Sequence, residues 1–386
     1  MTGYNIMKLI VKLLSGIIIG VLIGLIDIEW LTRAMVTFKG IFGQFINYLI
    51  PLIILFFIGA GITSVGKDGG KLLGMTVGVA YTSTIIAGLF AMIVAYTLMP
   101  IIAKGGKVPS EAEAIEPFFN FEFDPLMGVL TALITAFLFG IYAIKTESNM
   151  IVTLFKEGSK ITEVVIEYIL IPFLPIYIAG IFAEMTAQGT VMSVMKVFGF
   201  VLIAAIIMHW IWLTVLYFTA GFLRKENPLN LVKNMLPAYF TALGTMSSAA
   251  TIPVTLTQAK SNGVSEGVAN FSIPLLATIH LSGSTITLVS CTTAAMLVLP
   301  QLDLVSIPTM IGFILMLGII MIAAPGVPGG SVMAASGILA SILGFGEGAI
   351  GLMIALYMAQ DGFGTATNVT GDGAISLIVD HFRKDV

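Results

Sequence analysis

Four polar side chains near the carboxyl end of the chain have the spacing of a single helical face. Asp361, Thr365, Asn368 and Asp372 occupy relative positions i, i+4, i+7 and i+11 in a segment flanked by apolar runs. If this segment is an α-helix, its two carboxylates, hydroxyl and amide form one polar stripe. Such a stripe can bind a metal cation, a ligand amine or a proton, or accept hydrogen bonds from backbone amides.

The composition places these carboxylates in a membrane protein. Hydrophobic residues make up 58% of the chain and charged residues only 10%, whereas soluble domains carry about 25% charged residues. A carboxylate at the centre of a bilayer costs at least about 2.5–3.5 kcal/mol and therefore needs a partner. Because no Lys or Arg occurs between Lys260 and Arg383, we do not expect side-chain cations of this region to be the partners.

Several other classes are excluded by the sequence. The long, continuous apolar runs differ from the short alternating segments of a transmembrane β-barrel. No basic patch is present for a nucleic acid, and the single Cys291 cannot form an intrachain disulfide. We therefore predict an all-α, multi-pass protein of the cell (plasma) membrane.

The order of the apolar runs predicts an unusual architecture. Six runs of about 20 residues, enough to cross a bilayer, are followed by two pairs of shorter runs, each divided by small residues. We interpret these pairs as re-entrant hairpins with breaks at 246–251 and 325–331. Such paired interruptions point to a binding site near the bilayer midplane. The six predicted spans are 9–28, 41–61, 75–99, 126–144, 164–181 and 197–223.

Two further spans complete the prediction. Residues 271–300 lie between the hairpins and are interrupted at 278–283, and the polar stripe belongs to the last span. Eight full crossings with both termini in the cytoplasm put thirteen Lys and Arg residues inside and five outside. This distribution agrees with the positive-inside rule.

Three motifs occur in order in the last part of the chain. They are Ser247-Ser248 at the first hairpin break, Gly326-Val327-Pro328-Gly329 at the second, and Asn368-Val369-Thr370-Gly371-Asp372 in the last span. Together they resemble the dicarboxylate/amino acid:cation symporters, the family of the glutamate transporters and their archaeal aspartate-transporting relatives. The resemblance is strongest over about 246–372. It implies a homotrimeric transporter, not an enzyme, which carries an amino acid together with Na+ by an elevator-like movement.

The resemblance also implies two structural domains. The scaffold would contain residues 1–66, with spans one and two, and residues 104–190, with spans four and five. The transport domain would contain span three at 67–103 and residues 191–386. Within the latter lie span six, hairpin 1 at about 229–260, span seven at about 268–300, hairpin 2 at about 306–345, and span eight at about 347–379.

The family pattern assigns roles to individual residues. Asp361 would bind the substrate's amino group, Asn368 would contact both substrate and sodium site, and Asp372 would ligate sodium. The other substrate-binding residues that the resemblance implies are Ser247, Ser248, Val327, Gly329, Gly364 and Thr365. The other sodium-site residues, chiefly through backbone carbonyls, are Leu276, Thr278, His280, Met321, Ile322 and Ala324.

Three departures from the family pattern bear on the substrate and on the ions. The arginine that clamps a side-chain carboxylate in the acidic amino acid transporters is replaced by Gly364, or, in a related arrangement, by Met246. The aspartate of a third sodium site is replaced by Ser282. We therefore predict symport of an amino acid with a neutral side chain, coupled to fewer than three sodium ions.

Alternative functions stay open at this point. An acidic amino acid or dicarboxylate carried with sodium or protons is one, and His280 then offers a proton site or a partial substitute for the arginine. A channel would need a continuous polar path, whereas the motifs describe one enclosed pocket beneath a gate. An intramembrane aspartyl protease would need two facing carboxylates, but Asp361 and Asp372 lie about 16 Å apart along one helix.

Overall fold

The computed structural model is helical throughout the residues that it describes. These are residues 3–26, 28–65, 70–102, 115–121, 124–322, 324 and 328–383, and no strand occurs among them. The helices are α1 Gly3–Ile26, α2 Glu29–Val65, α3 Gly70–Ile102, α4 Val129–Thr146, α5 Asn149–Val165, α6 Ile171–Ala187, α7 Val191–Arg224, α8 Pro228–Thr245, α9 Ser248–Ser261, α10 Glu266–Ile279, α11 Ser282–Val298, α12 Ile307–Met321, α13 Gly330–Leu343 and α14 Glu347–Arg383.

Long apolar helices define a multi-pass membrane protein. Within the described ranges, five segments are long and apolar enough to cross a membrane, judged by length and composition. They are Glu29–Thr63, Lys71–Ile101, Asn149–Ala187, Val194–Arg224 and Glu266–Val298. The third of these joins α5 and α6 through a π-helical turn, Ile166–Leu170, so this segment begins well before the predicted start of the fifth span at residue 164.

Both predicted hairpins correspond to helix pairs, α8–α9 and α12–α13. The break of the first hairpin is shorter than predicted, because α9 begins at Ser248 rather than near residue 252. Met246 takes a left-handed conformation, and the Ser247 hydroxyl then accepts a hydrogen bond from the backbone amide of Ala250. A serine in this N-cap position satisfies one of the unpaired amides at the helix start, so the helix begins immediately.

The interruption of the predicted seventh span is also confined to two residues, His280 and Leu281, between α10 and α11. The last helix, α14, runs without a break for 37 residues. It is buried along nearly all of Ala349–Asp380 and packs against α7 to α11. The predicted polar stripe therefore lies on a helix that is surrounded by protein rather than by lipid.

The helices pack in two groups. α1, α2, α4, α5 and α6 pack chiefly against one another, and so do α3 and α7 to α14. Small residues allow the close pairs, because a Cβ atom added to Gly20 of α1 would collide with the carbonyl of Ala179 in α6. The division into a scaffold and a transport domain stays a prediction.

A buried ion pair joins three elements at the end of α14. Asp380 accepts hydrogen bonds from Arg224 at 2.8 Å and from the Ser265 hydroxyl at 2.5 Å. Arg224, at the end of α7, also donates to the carbonyl of Gly263 at 2.9 Å. The two charged side chains are only 11% and 2% exposed, and Arg224 also pairs with the more exposed Glu226 at 3.1 Å.

We predict that Asp380→Ala destabilises the protein by about 3 kcal/mol, because the Arg224 guanidinium loses its most buried partner and the Ser265 hydroxyl loses its acceptor. The measurement is the thermal melting temperature of the purified protein in detergent. Glu157→Ala is the matched control, since its pair with Lys160 is 58% and 67% exposed and such pairs contribute about 0–1 kcal/mol. Equal melting temperatures for the two variants would contradict this role of Asp380.

Candidate functional site

Asp361 lies in α14 beneath the tip of the second hairpin and is buried. Its Oδ2 accepts a hydrogen bond from the backbone amide of Gly329 at 2.7 Å, and its Oδ1 accepts one from the Thr365 hydroxyl at 3.4 Å. Across the described part of the chain, Asp361 takes part in no ion pair. A buried carboxylate is therefore held by neutral donors alone.

Gly329 is the point where the hairpin tip touches α14. Its φ of 76° lies in the left-handed region, and a Cβ atom at this position would lie 2.5 Å from the Met358 sulfur. Both features require glycine. Val327, a predicted substrate-binding residue of the same tip, lies outside the described residues.

Asn368 fixes the start of α11. Its side-chain oxygen accepts hydrogen bonds from the amides of Gly283 at 2.8 Å and Ser284 at 3.3 Å, and its side-chain nitrogen donates to the Ser284 hydroxyl at 2.9 Å. Amides in the first turn of a helix have no partner within that helix. Asn368 thus supplies the acceptor that the interruption before α11 requires.

Asp372 is hydrogen-bonded to His280, the first residue of that interruption. The Asp372 Oδ1 and His280 Nδ1 atoms are 2.9 Å apart, and His280 Nε2 lies 2.9 Å from the hydroxyl of Ser83 in α3. All three side chains are buried. Among the described residues, the second carboxylate oxygen of Asp372 has no hydrogen-bond partner, and neither do the hydroxyls of Ser282 and Thr370.

The two serines at the first hairpin break, and the two residues that replace the family's arginine, all lie close to helix starts or to α14. The Ser247 hydroxyl caps α9, and Ser248 is buried in its first turn. Met246 packs beside α14, where a Cβ added to Gly362 would lie 3.6 Å from its Cγ. A Cβ added to Gly364 would lie 3.4 Å from the amide nitrogen of Ser284, so a side chain there would meet the start of α11 immediately.

The predicted carbonyl ligands lie at two helix ends. Leu276, near the end of α10, accepts the amide of His280 at 2.9 Å, and the nearby Thr278 has an exposed side chain. Met321 is the last residue of α12, and its carbonyl accepts the amide of Ala324 at 3.4 Å. Ile322 caps the same helix. The final carbonyls of a helix lack helical donors and are available to other partners.

The structure adds residues that the sequence did not single out. Ser83 reaches His280 from α3, and the polar run Tyr81-Thr82-Ser83-Thr84 inside an otherwise apolar span is the signal that could have marked it. His209 of α7, to which no role was assigned, hydrogen-bonds the Gly283 carbonyl at 3.0 Å. Tyr357 lies one turn before Asp361, and its hydroxyl faces Asp361, Ser284 and Ser331. Its i−4 spacing from Asp361 is a signal that would have extended the polar stripe by one turn.

The polar groups form two centres along α14. One surrounds Asp361 at the hairpin tip, the other surrounds Asp372 at the interruption before α11, and Asn368 lies between them. Within the described ranges, no group of three or more His, Cys, Asp or Glu side chains could hold a metal ion. Interrupted helices that enclose a polar site inside a membrane bundle are the architecture of a secondary transporter.

The sequence pattern of the sodium:dicarboxylate symporter family matches residues 9–382. The chain therefore belongs to this family, which confirms the resemblance found from the motifs.

Individual relatives agree with this membership. Excitatory amino acid transporter 1 of Homo sapiens is 30% identical over 213 residues, which cover 54% of this chain and 38% of that protein. Serine/threonine transporter SstT of Acinetobacter baylyi is 30% identical over 249 residues, or 60% of this chain and 61% of that protein. The match thus spans less than two thirds of the length of each relative.

We predict that Asn368→Ala destabilises the protein by about 3 kcal/mol, because the buried amides of Gly283 and Ser284 lose their acceptor. Thr370→Val is the matched control on the same helix. It removes a buried hydroxyl that has no partner and keeps the side-chain shape, so it should be neutral or stabilising. Melting temperatures in detergent compare the two. A smaller loss for Asn368→Ala than for Thr370→Val would refute the anchoring role of Asn368.

Proposed function

We propose that this protein is a sodium-coupled symporter of an amino acid with a neutral side chain. The observation that carries the proposal is the environment of Asp361, a buried carboxylate whose donors are the Gly329 amide and the Thr365 hydroxyl. A substrate ammonium group would supply the positive partner that this carboxylate lacks. The names of the human and Acinetobacter relatives, both amino acid transporters, agree with an amino acid as substrate.

The absence of nearby cations in the sequence favours a neutral side chain. Residues 261–382 contain no Lys or Arg, and Gly364 and Met246 occupy the positions where the family places a clamping arginine. A second carboxylate buried here without a cation would cost several kcal/mol. An acidic substrate would therefore bind weakly in this pocket.

Sodium is proposed as the coupling ion because carboxylate and carbonyl oxygen atoms lie at two places where helices are interrupted, beside His280 and at the end of α12. The second carboxylate oxygen of Asp372 is buried, and the carbonyls of Met321, Ile322 and Ala324 lie at and just after the end of α12. Unwound backbone and helix ends of this kind coordinate Na+ in transporters. Since Ser282 replaces the third-site aspartate, we expect fewer than three ions per substrate.

The proposed movement is that of an elevator in a homotrimer with eight spans and both termini in the cytoplasm. Its support is the separate packing of the two helix groups. Among the contacts between them are a hydrogen bond from Asn47 of α2 to Glu347 at 3.3 Å and one from Tyr177 of α6 to the Glu347 carbonyl at 3.4 Å. Such hydrogen bonds can be exchanged while each group moves as a unit.

The test is uptake of labelled neutral and acidic amino acids and succinate into proteoliposomes, with and without an inward sodium gradient. We predict sodium-driven uptake of neutral amino acids, and its loss in Asp372→Asn, because the amide provides no negative charge for the ion. Asp124→Asn, which changes an exposed carboxylate, should behave as the unmodified protein. Full sodium dependence in Asp372→Asn would rule out Asp372 as a sodium ligand. Uptake of aspartate or succinate, with no uptake of neutral amino acids, would rule out a substrate with a neutral side chain.

Proton coupling is the second candidate, and the pairing of His280 with Asp372 favours it. The imidazole occupies one oxygen of the proposed sodium ligand and is itself hydrogen-bonded to Ser83. In this case an inward proton gradient would drive uptake without sodium. The same proteoliposomes decide between the two candidates when the internal and external pH are set independently of the sodium gradient.

We also propose that the tip at Gly329 and Gly330 is a gate. Gly329→Val should slow substrate exchange at least about tenfold, because the side chain would meet Met358 and displace the amide from Asp361. Gly344→Val is the matched control, since Gly344 has a similar φ of 72° at the other end of α13 and nothing within 4 Å of an added Cβ. Both variants carry the same backbone strain, so equal exchange rates would count against a gate at Gly329.

A further inference from the structure

His209 is a buried histidine of α7 that the proposed function does not use. Its Nε2 atom lies 3.0 Å from the backbone carbonyl of Gly283 and 3.2 Å from the hydroxyl of Thr287, both in α11. A backbone carbonyl can only accept a hydrogen bond, so the contact with Gly283 requires that Nε2 carry a proton. Within the described part of the chain, Nδ1 has no hydrogen-bond partner. The side chain therefore acts on its neighbours through Nε2.

The backbone of Gly283 is held from two sides. Its amide donates to the Asn368 side-chain oxygen in α14 at 2.8 Å, and its carbonyl accepts from His209 in α7. Only glycine fits between these helices, because an added Cβ atom would lie 2.4 Å from the carbonyl oxygen of Gly364. Two hydrogen bonds and a direct backbone contact thus fix the first turn of α11 against its neighbours.

The helix that carries His209 has its own anchors on α14. The Tyr217 hydroxyl donates to the backbone carbonyl of Thr370 at 2.7 Å, and Arg224 at the end of α7 donates to Asp380 at 2.8 Å. His209 lies about 12 Å before Tyr217 along α7. Because α7 is fixed to α14 at two points and reaches α11 at a third, it can hold the start of α11 at a set position relative to α14.

The position of this first turn matters for both centres on α14. Its residue Ser284 faces the Tyr357 hydroxyl beside Asp361. His280, in the interruption immediately before the turn, is hydrogen-bonded to Asp372. If the turn were free to shift, it would have to be ordered each time a ligand binds, and this ordering would lower the apparent affinity. A turn that is already held in place avoids that cost.

We propose that His209 is a positioning residue of the transport site, which holds the carbonyl of Gly283 so that both centres are ready to bind. The inference rests on the proposed function, sodium-coupled uptake of an amino acid. In this role His209 contacts neither substrate nor cation and acts through the backbone of α11. Loss of the Nε2 donor therefore raises both the sodium concentration for half-maximal uptake and the KM for substrate. A purely structural role would instead lower the melting temperature and the maximal rate.

The experiment measures uptake of labelled L-serine and of labelled L-alanine, each separately, by the full chain in proteoliposomes over a range of sodium concentrations. His209→Phe keeps a ring and removes the donor. We expect both half-saturation values to rise about fivefold, the change that corresponds to one ordinary hydrogen bond. The melting temperature of each variant in detergent is measured in parallel.

Two further variants separate the Nε2 proton from the rest of the side chain. His209→Gln can place its amide nitrogen where Nε2 lies, so its half-saturation values should stay within about twofold of those of the unmodified protein. Thr287→Val is the matched control, because it removes the other neighbour of Nε2 and leaves the contact with Gly283. It should also stay within about twofold.

Unchanged half-saturation values in His209→Phe would overturn the inference, whatever happens to its melting temperature. An equal rise in His209→Phe and His209→Gln would overturn it too, since the ring rather than the Nε2 proton would then matter. His209→Leu is a second variant without a donor in case His209→Phe does not fold. These outcomes leave the proposed function intact. The absence of sodium-driven uptake of any neutral amino acid by the unmodified protein would refute the proposed function, and the inference with it.

Discussion

Two carboxylates are buried on one helix inside a membrane bundle, and each needs hydrogen-bond donors or a cation as partners. The rest of the structure is arranged around this requirement. Asp361 and Asp372 have no cationic Lys or Arg within reach in residues 261–382, so their partners must come from backbone amides, hydroxyls, an imidazole or cargo. A continuous helix offers no spare amides in its interior. Two neighbouring segments, at Gly329 and at His280–Leu281, are interrupted where they meet α14, and both interruptions direct polar groups at this helix.

The interruptions place helix starts, rather than helix ends, against the acceptor oxygens of α14. The first amides of α11 bind the side-chain oxygen of Asn368, and the amide of Gly329, immediately before α13, binds Asp361. The start of a helix carries a partial positive charge and unpaired donors, which favour negative groups. These contacts explain why non-helical backbone persists inside the bundle, since its polar groups are received by protein.

The sequence predicted the features that depend on local pattern. Periodicity revealed the polar face of α14, and runs of small residues located both hairpins and the interruption of the seventh span. The exact breaks were less predictable, because the Ser247 cap and the short His280–Leu281 interruption depend on individual hydrogen bonds. The partners Ser83 and Tyr357 were missed for a different reason. Ser83 is separated from His280 by 197 residues, so only the packing of α3 against the site joins them. Tyr357 lies one turn before Asp361 on α14, but its neighbours Ser284 and Ser331 come from α11 and α13.

The two centres along α14 are physically linked, which matters for coupled transport. Asn368 is hydrogen-bonded to both the backbone amide and the hydroxyl of Ser284, and Ser284 in turn faces the hydroxyl of Tyr357 beside Asp361. The interruption immediately before α11 contains His280, which is hydrogen-bonded to Asp372. A cation that repositions this segment would therefore also reposition a group that faces the substrate. Because such coupling is reciprocal, the substrate would raise the affinity for the cation by the same factor.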